Sequence, residues 1–205
     1  MKQLFLSLSL SFLASDIFGQ INFDSLDNAI HKDYYTQLDS IFKLSKNNNL
    51  EFRLWTTSSL TFHRASFIMT QNNNVWHARY FERENNGTDI YWIEKKVNQS
   101  NLDSLWSRLK TNCVLTLPTQ NSLKQRLRIY TADTTLLNND DEDYSEVRVM
   151  DGTRYRFEII SKEINRVYNY HSPASYLEHN PNIEELYRAY KIISLTRRYL
   201  GLPLY

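Results

Sequence analysis

Glycine occurs only four times in 205 residues, and that scarcity limits both the turns this chain can make and the chemistry it can house. Gly19 sits in an apolar N-terminal stretch. Gly87 follows Asn86, Gly152 follows Asp151, and Gly201 ends the last helical pattern. Asn-Gly and Asp-Gly are strong hairpin signals, because type I′ turns need positive φ at both central residues. Gly201 suits the position after a helix C-cap, with Pro203 just beyond to stop the helix. No glycine remains to cradle a phosphate, so the P-loop, the dinucleotide fingerprint and the G-x-S-x-G nucleophile elbow are absent in their standard forms. Nucleotide-dependent chemistry and the α/β-hydrolase mechanism fall with them, and no cofactor is expected.

The N-terminus reads as an export signal over residues 1–19. Lys2 supplies a positive start, Leu4 to Ala14 is apolar apart from serines, and Gly19 is small enough for a signal peptidase. A run of about 11 residues is too short for a bilayer, which needs about 20 in a helix. The expectation is a secreted or periplasmic protein of one domain, residues 20–205, with no stable membrane span once the signal is removed. Losing Lys2 and Asp16 takes 24 basic and 23 acidic residues to 23 and 22, so the net charge stays +1. Such a balance gives no pull on polyanions, and nucleic acid is not an expected partner.

Hydrophobic periodicity predicts the elements. Asp24 to Lys46 has helical spacing through Leu26, Ile30, Tyr34, Leu38 and Phe42, and nothing but Asn47–Asn49 ties it to the sheet. At Leu50 the period drops to two, with Leu50, Phe52 and Leu54 alternating with Glu51, Arg53 and Trp55 as in a half-buried strand. Further strands are expected at His63–Gln71, Val75–Glu84 and Thr88–Val97, with turns at Asn72–Asn74 and Asn86-Gly87. Asn101 to Asn112 returns to helical spacing. Residues 131–143, which end in Asn138–Asp143, read as a mobile acidic loop lacking the ligand spacing and central glycine of an EF-hand. A second hairpin is expected from Tyr144–Met150 and Thr153–Ser161 about Asp151-Gly152, then a strand at Asn165–His171. Pro173 and Pro181 bound an irregular connection, and Ile183–Leu200 is the last helix, with Asn182 as its cap. Strands that come in runs, about 50–97 and 144–171, argue for an α+β fold: an antiparallel sheet packed with three helices.

The single cysteine, Cys113, permits no internal disulfide and lies in the apolar run Cys113–Leu117, where it reads as a small buried hydrophobe. His31, His63, His77, His171 and His179 form no recognisable metal-binding pair. The mild excess is aromatic: 14 Tyr, 10 Phe and 4 Trp. Trp76, Trp92, Tyr168, Tyr170 and His171 are the candidate ligand contacts, able to stack on a glycan or a peptide if their strands turn them to solvent. The same residue types also pack well inside sheets.

The sequence therefore points to an exported, non-catalytic binding or structural domain of the cell envelope or extracellular space, with a protein or glycan as partner. Two alternatives stay open. One is a secreted hydrolase, which requires two or more histidines to meet an acid in one pocket. The other is an inhibitor-like module that recognises a protein through a sheet edge.

Overall fold

The computed structural model describes residues 38–42, 48–59, 61, 63–85, 90–130, 144–146, 149 and 152–204. The export signal, most of the 24–46 helix, the Asn86-Gly87 turn and the 131–143 loop lie outside them. The chain divides into two units, Met1–Lys46 and Asn47–Tyr205. In the first, residues 38–41 form a helical turn, and the Phe42 amide donates to the Leu38 carbonyl at 2.8 Å.

The second unit is α+β. Its elements are β1 (Leu50–Ser58), β2 (Arg64–Asn72), β3 (Val75–Asn85), β4 (Ile90–Lys95), α1 (Leu102–Thr111), a 3-10 turn (Gln120–Leu123), β5 (Arg128–Tyr130), β6 (Tyr144–Glu146), β7 (Thr153–Ser161), β8 (Asn165–His171), α2 (Pro173–His179) and α3 (Glu184–Tyr199). Six strands form one antiparallel sheet in the order β4-β3-β2-β1-β7-β8. The β2–β3 hairpin turns on Asn73 and Asn74, both at positive φ (48° and 64°) between the paired Asn72 and Val75. Asparagine tolerates the left-handed region better than most side chains, so it makes a type I′ turn where glycine is scarce.

Pairing sorts the strands into two faces. Phe52, Leu54, Phe67, Met69, Tyr80, Phe157, Ile159, Tyr168 and Tyr170 share one. They form a single core with Leu102, Leu105, Trp106 and Leu109 of α1 and with Leu186, Ala189, Ile192 and Ile193 of α3. Those helical residues recur every three or four positions, which gives each helix one apolar stripe to lay on the sheet. The Trp106 ring meets Phe52 and Trp76, with centroids 6.3 and 5.1 Å away.

The opposite face carries an ion-pair ladder, and β1 is not half-buried as its alternation suggests. Glu51, Arg53 and Glu158 are all buried. Arg53 pairs with Glu51 on its own strand and with Glu158 across the β1–β7 register at 3.3 Å, and Arg156 donates to Glu158 at 2.6 Å. Charges out of water persist only when paired in this way.

Several elements depart from expectation. Tyr144–Glu146 pairs with Arg128–Tyr130 in a separate two-stranded sheet, while β1 and β8 occupy both sides of β7. Tyr144–Glu146 thus does not pair with Thr153–Ser161; residues 147, 148 and 150 of the expected strand lie outside the described ones. Residues 173–179 are helical rather than irregular, with Pro173 in the first turn, where its missing N–H costs nothing. The cap residue of α3 is Ile183 and not Asn182; the acidic first turn, Glu184 and Glu185, compensates at the positive helix end. Cys113 is only half-buried. It stands at φ 59° just past α1, where Val114 N donates to Leu109 O and Cys113 N to Lys110 O. That bond pair is a Schellman cap with cysteine in the place usually held by glycine. Gly201, at φ 69°, caps α3 with the same pair of bonds, from Leu202 N to Arg197 O and from Gly201 N to Arg198 O.

Candidate functional site

Strand alternation sets Tyr80, Glu82 and Glu84 in a row on the core-side face of β3, and the β3–β4 register places Lys95 opposite Tyr80. This row runs beyond the part of the sheet that the helices cover, and His63 joins it from the residue before β2. Glu82 Oε1 accepts the Tyr80 hydroxyl at 2.8 Å and lies 4.0 Å from His63 Nε2. Its other oxygen lies 3.7 Å from the Lys95 ammonium, which donates to Glu84 at 2.6 Å. The hydrogen bond to Glu84 is the main reason the Lys95 amine is held above its ordinary pKa.

Beside this cluster, Thr56, His63, Tyr80, Thr196 and Arg197, with apolar neighbours from Leu54 to Leu202, line a cavity of about 20 Å³. That is room for one water. Both oxygens of Glu82 have polar partners within 4.0 Å, and the space next to it does not admit a sugar ring or a peptide. His63 is one of the five histidines in the sequence, and the i, i+2 spacing of Tyr80, Glu82 and Glu84 is the signal that sets the acids beside it on one strand face.

The residues singled out from the sequence fall in different places. Trp76, Tyr168 and Tyr170 are buried in the core. Each has a packing partner that explains its position: Trp106 for Trp76, a Phe157 ring stacked at 4.8 Å and 13° for Tyr168, and the same Phe157 ring edge-on at 6.2 Å for Tyr170. The Tyr168 hydroxyl donates to the Val114 carbonyl at 2.8 Å. Burial pushes both phenols well above the usual tyrosine range, with the Glu185 charge adding to the effect at Tyr170. The Tyr170 hydroxyl and Glu185 Oε2 are buried without a hydrogen-bond partner. The other Glu185 oxygen accepts from Arg126 at 2.7 Å, which holds that carboxyl below its ordinary pKa.

Trp92 and His171 are half-buried, one on each outer strand of the sheet, so they share no patch. Burial, then the Arg154 charge, lowers the His171 pKa. His77 projects from β3 on the face away from the core, and His179 is exposed at the end of α2. Among the described histidines only His63 faces an acid at the cavity, and among the described residues no group of three or more His, Cys, Asp or Glu side chains is placed to hold a metal. None of the helices described is long and apolar enough to cross a membrane.

The two edges of the sheet differ. On β8, the Thr119 hydroxyl donates to Asn169 O at 3.3 Å and accepts from Asn169 N at 3.4 Å, while His171 N donates to Gln120 at 2.7 Å. Arg166 ties the same 115–120 segment down through the carbonyls of Leu115 and Leu117. Where β4 stops, the Gln99 side chain completes the ladder of β3, accepting from Ala78 N and donating to Ala78 O. Along β4 itself, no strand among the described residues pairs with the outer side, and Tyr91 stands 41% exposed.

Comparison with known protein families, with curated proteins and with solved structures finds no match to this chain.

Proposed function

We propose that this chain is an exported, non-catalytic domain of the cell envelope or extracellular space, and that it acts by binding a protein through the β4 edge. The observation that carries this reading is the contrast between the edges. Side chains of the 115–120 segment occupy backbone groups of Asn169 and His171 on β8, whereas β4 presents a six-residue strand that carries the exposed Tyr91 and the half-buried Trp92. Strand addition at such an edge draws affinity from main-chain hydrogen bonds and selectivity from alternate side chains. The space beside Glu82 supports binding over hydrolysis, since it is the size of a water. Export rests on the leader, whose apolar core is the right length for a cleaved signal.

Photocrosslinking in the producing cell tests the binding reading, with the probe placed at Tyr91 or, as the control, at Asn169. Adducts from position 91 and none from 169 support it; equal labelling, or none at either, overturns it. Sequencing the N-terminus of protein recovered from outside the cytoplasm tests export, with a start near Gln20 expected and an intact Met1 from cytosol as the opposing result.

A further inference from the structure

The β4 edge complements itself, and we propose that its partner is a second copy of this chain, paired antiparallel about a two-fold axis through Ile93. The inference rests on the binding reading above. Within β4, pairing to β3 puts Tyr91, Ile93 and Lys95 on the core-side face and Trp92 and Glu94 on the other. In an antiparallel pair, directly opposed residues share a face. A two-fold axis at Ile93 therefore sets Ile93 against its own copy, Tyr91 against Lys95, and Trp92 against Glu94. The centre is apolar, an ammonium meets an aromatic ring on each side of it, and no like charges oppose one another. A two-residue slip, by contrast, moves the axis by one residue, onto Trp92 or onto Glu94, and the second of these opposes like charges.

The charges of β4 do not act as a guard against pairing. Edge lysines and glutamates usually deter strand addition because a neighbouring strand would have to desolvate them unpaired. Here Glu94 is already held by Arg79 through two bonds of 2.8 Å, and Lys95 by Glu84 at 2.6 Å, all within the hairpin. The Arg79 hydrogen bonds lower the Glu94 pKa, so the pair stays ionised. Both residues can meet a second copy without giving up their partners. Thr119 and Gln120 occupy Asn169 and His171 on β8, so among the described residues β4 is the edge left to pair, and pairing about its two-fold closes as a dimer and does not grow into a filament. Six residues of strand make a small interface, so the dimer dissociates in roughly the micromolar range.

The test uses the full chain as recovered after export. Sedimentation up to about 100 μM, the range set by a small interface, is expected to show a monomer–dimer equilibrium. Ile93→Lys, which opposes like charges at the axis, is expected to abolish the dimer with an unchanged circular dichroism spectrum. As a variant that does not depend on loss, Ile93→Cys in a Cys113→Ser background is expected to form an intermolecular disulfide on mild oxidation, and Asn169→Cys is not. A chain monomeric throughout, or a dimer that survives Ile93→Lys and crosslinks equally through Asn169, overturns the proposal. If the monomeric chain still photocrosslinks through position 91 to a different protein, self-pairing falls and the binding reading stands. If it crosslinks to nothing, both fall.

Discussion

Phe157 and Tyr168 stack nearly parallel across the β7–β8 register, centroids 4.8 Å apart, and Tyr170 meets both rings edge-on at 6.2 and 6.4 Å. This trio makes the 168–171 stretch a core element, with the Tyr168 hydroxyl buried against the Val114 carbonyl that follows α1. Replacing Tyr168 by Phe keeps the stack and orphans that carbonyl, a loss of about 1–3 kcal/mol. Tyr168→Ala removes the ring as well and should cost about 3–5 kcal/mol. Urea denaturation reads both. A Tyr168→Ala chain as stable as the wild type would show that the trio does not hold the sheet to α1.

Cys113 occupies a left-handed position that an L side chain pays to enter. Cys113→Gly should therefore stabilise the chain by up to about 1 kcal/mol, the left-handed cost less the extra unfolded-state freedom of glycine. Cys113→Ala keeps the strain and loses the contact between the thiol and the Arg188 guanidinium, so it should not stabilise. Arg188 remains held by Glu184 at 3.0 Å in either variant. Thermal midpoints in the order Gly above Cys, and Cys at or above Ala, are expected; Ala above Gly contradicts the cap.

Gly152 is needed for space. Asp151-Gly152 suggests positive φ, yet among the described glycines only Gly201 adopts it. A Cβ on Gly152 would sit 2.5 Å from His171 Nε2 and closer still to Ser172 Oγ, the group that accepts from Thr153 N at 2.9 Å. Gly152→Ala is expected to cost about 1–3 kcal/mol, as overpacking does. Adding Ser172→Gly should recover part of that loss; no recovery would place the strain elsewhere.

These cases show what local pattern reveals and where it stops. The switch from helical spacing to alternation at Leu50 is visible in the residues themselves, and so are the α1 stripe Leu102, Leu105, Trp106 and Leu109 and the Asn73-Asn74 turn. Each depends on neighbours a few positions away. Glu51 and Arg53 look like a solvated face because their partner Glu158 lies 105 residues from Arg53. For the same reason Tyr168 looks like a ligand contact, since Val114 and Phe157 are invisible from its own segment. The Glu82 cluster needs two strands, β3 and β4, and the residue before β2 to assemble. The β4 edge becomes distinct only once Thr119 and Gln120 are seen to occupy Asn169 and His171 on the other one.

Removing Arg53 takes the shared cation from two buried carboxylates, leaving Glu158 with Arg156 and Glu51 with the Asn48 side-chain amide. Arg53→Met matches much of the volume but leaves Glu51 and Glu158 without their shared cation, and a cost of about 3–5 kcal/mol is expected. Replacing Arg53 with Met and both glutamates with Gln restores a neutral set and should recover most of it. The triple variant falling below the single one in urea would mean that the charges themselves stabilise this face.

His171 provides a pH signature with a definite sign. Its ring lies at the end of β8, 6.4 Å from the Tyr176 ring, with Arg154 as its register partner on β7. Burial and the Arg154 charge both disfavour the imidazolium, so the folded pKa lies below the ordinary 6.5. Above that value neither state is protonated at this site and its contribution is complete. As pH falls through 6.5 the unfolded chain takes up the proton first, and stability drops until the folded pKa is also passed. His171→Gln cannot titrate and should show a shallower fall in urea midpoint between about pH 7 and pH 5, where other histidines contribute equally to both proteins. Parallel profiles for the two chains would mean that the His171 ring is as well solvated in the folded state as in the unfolded one.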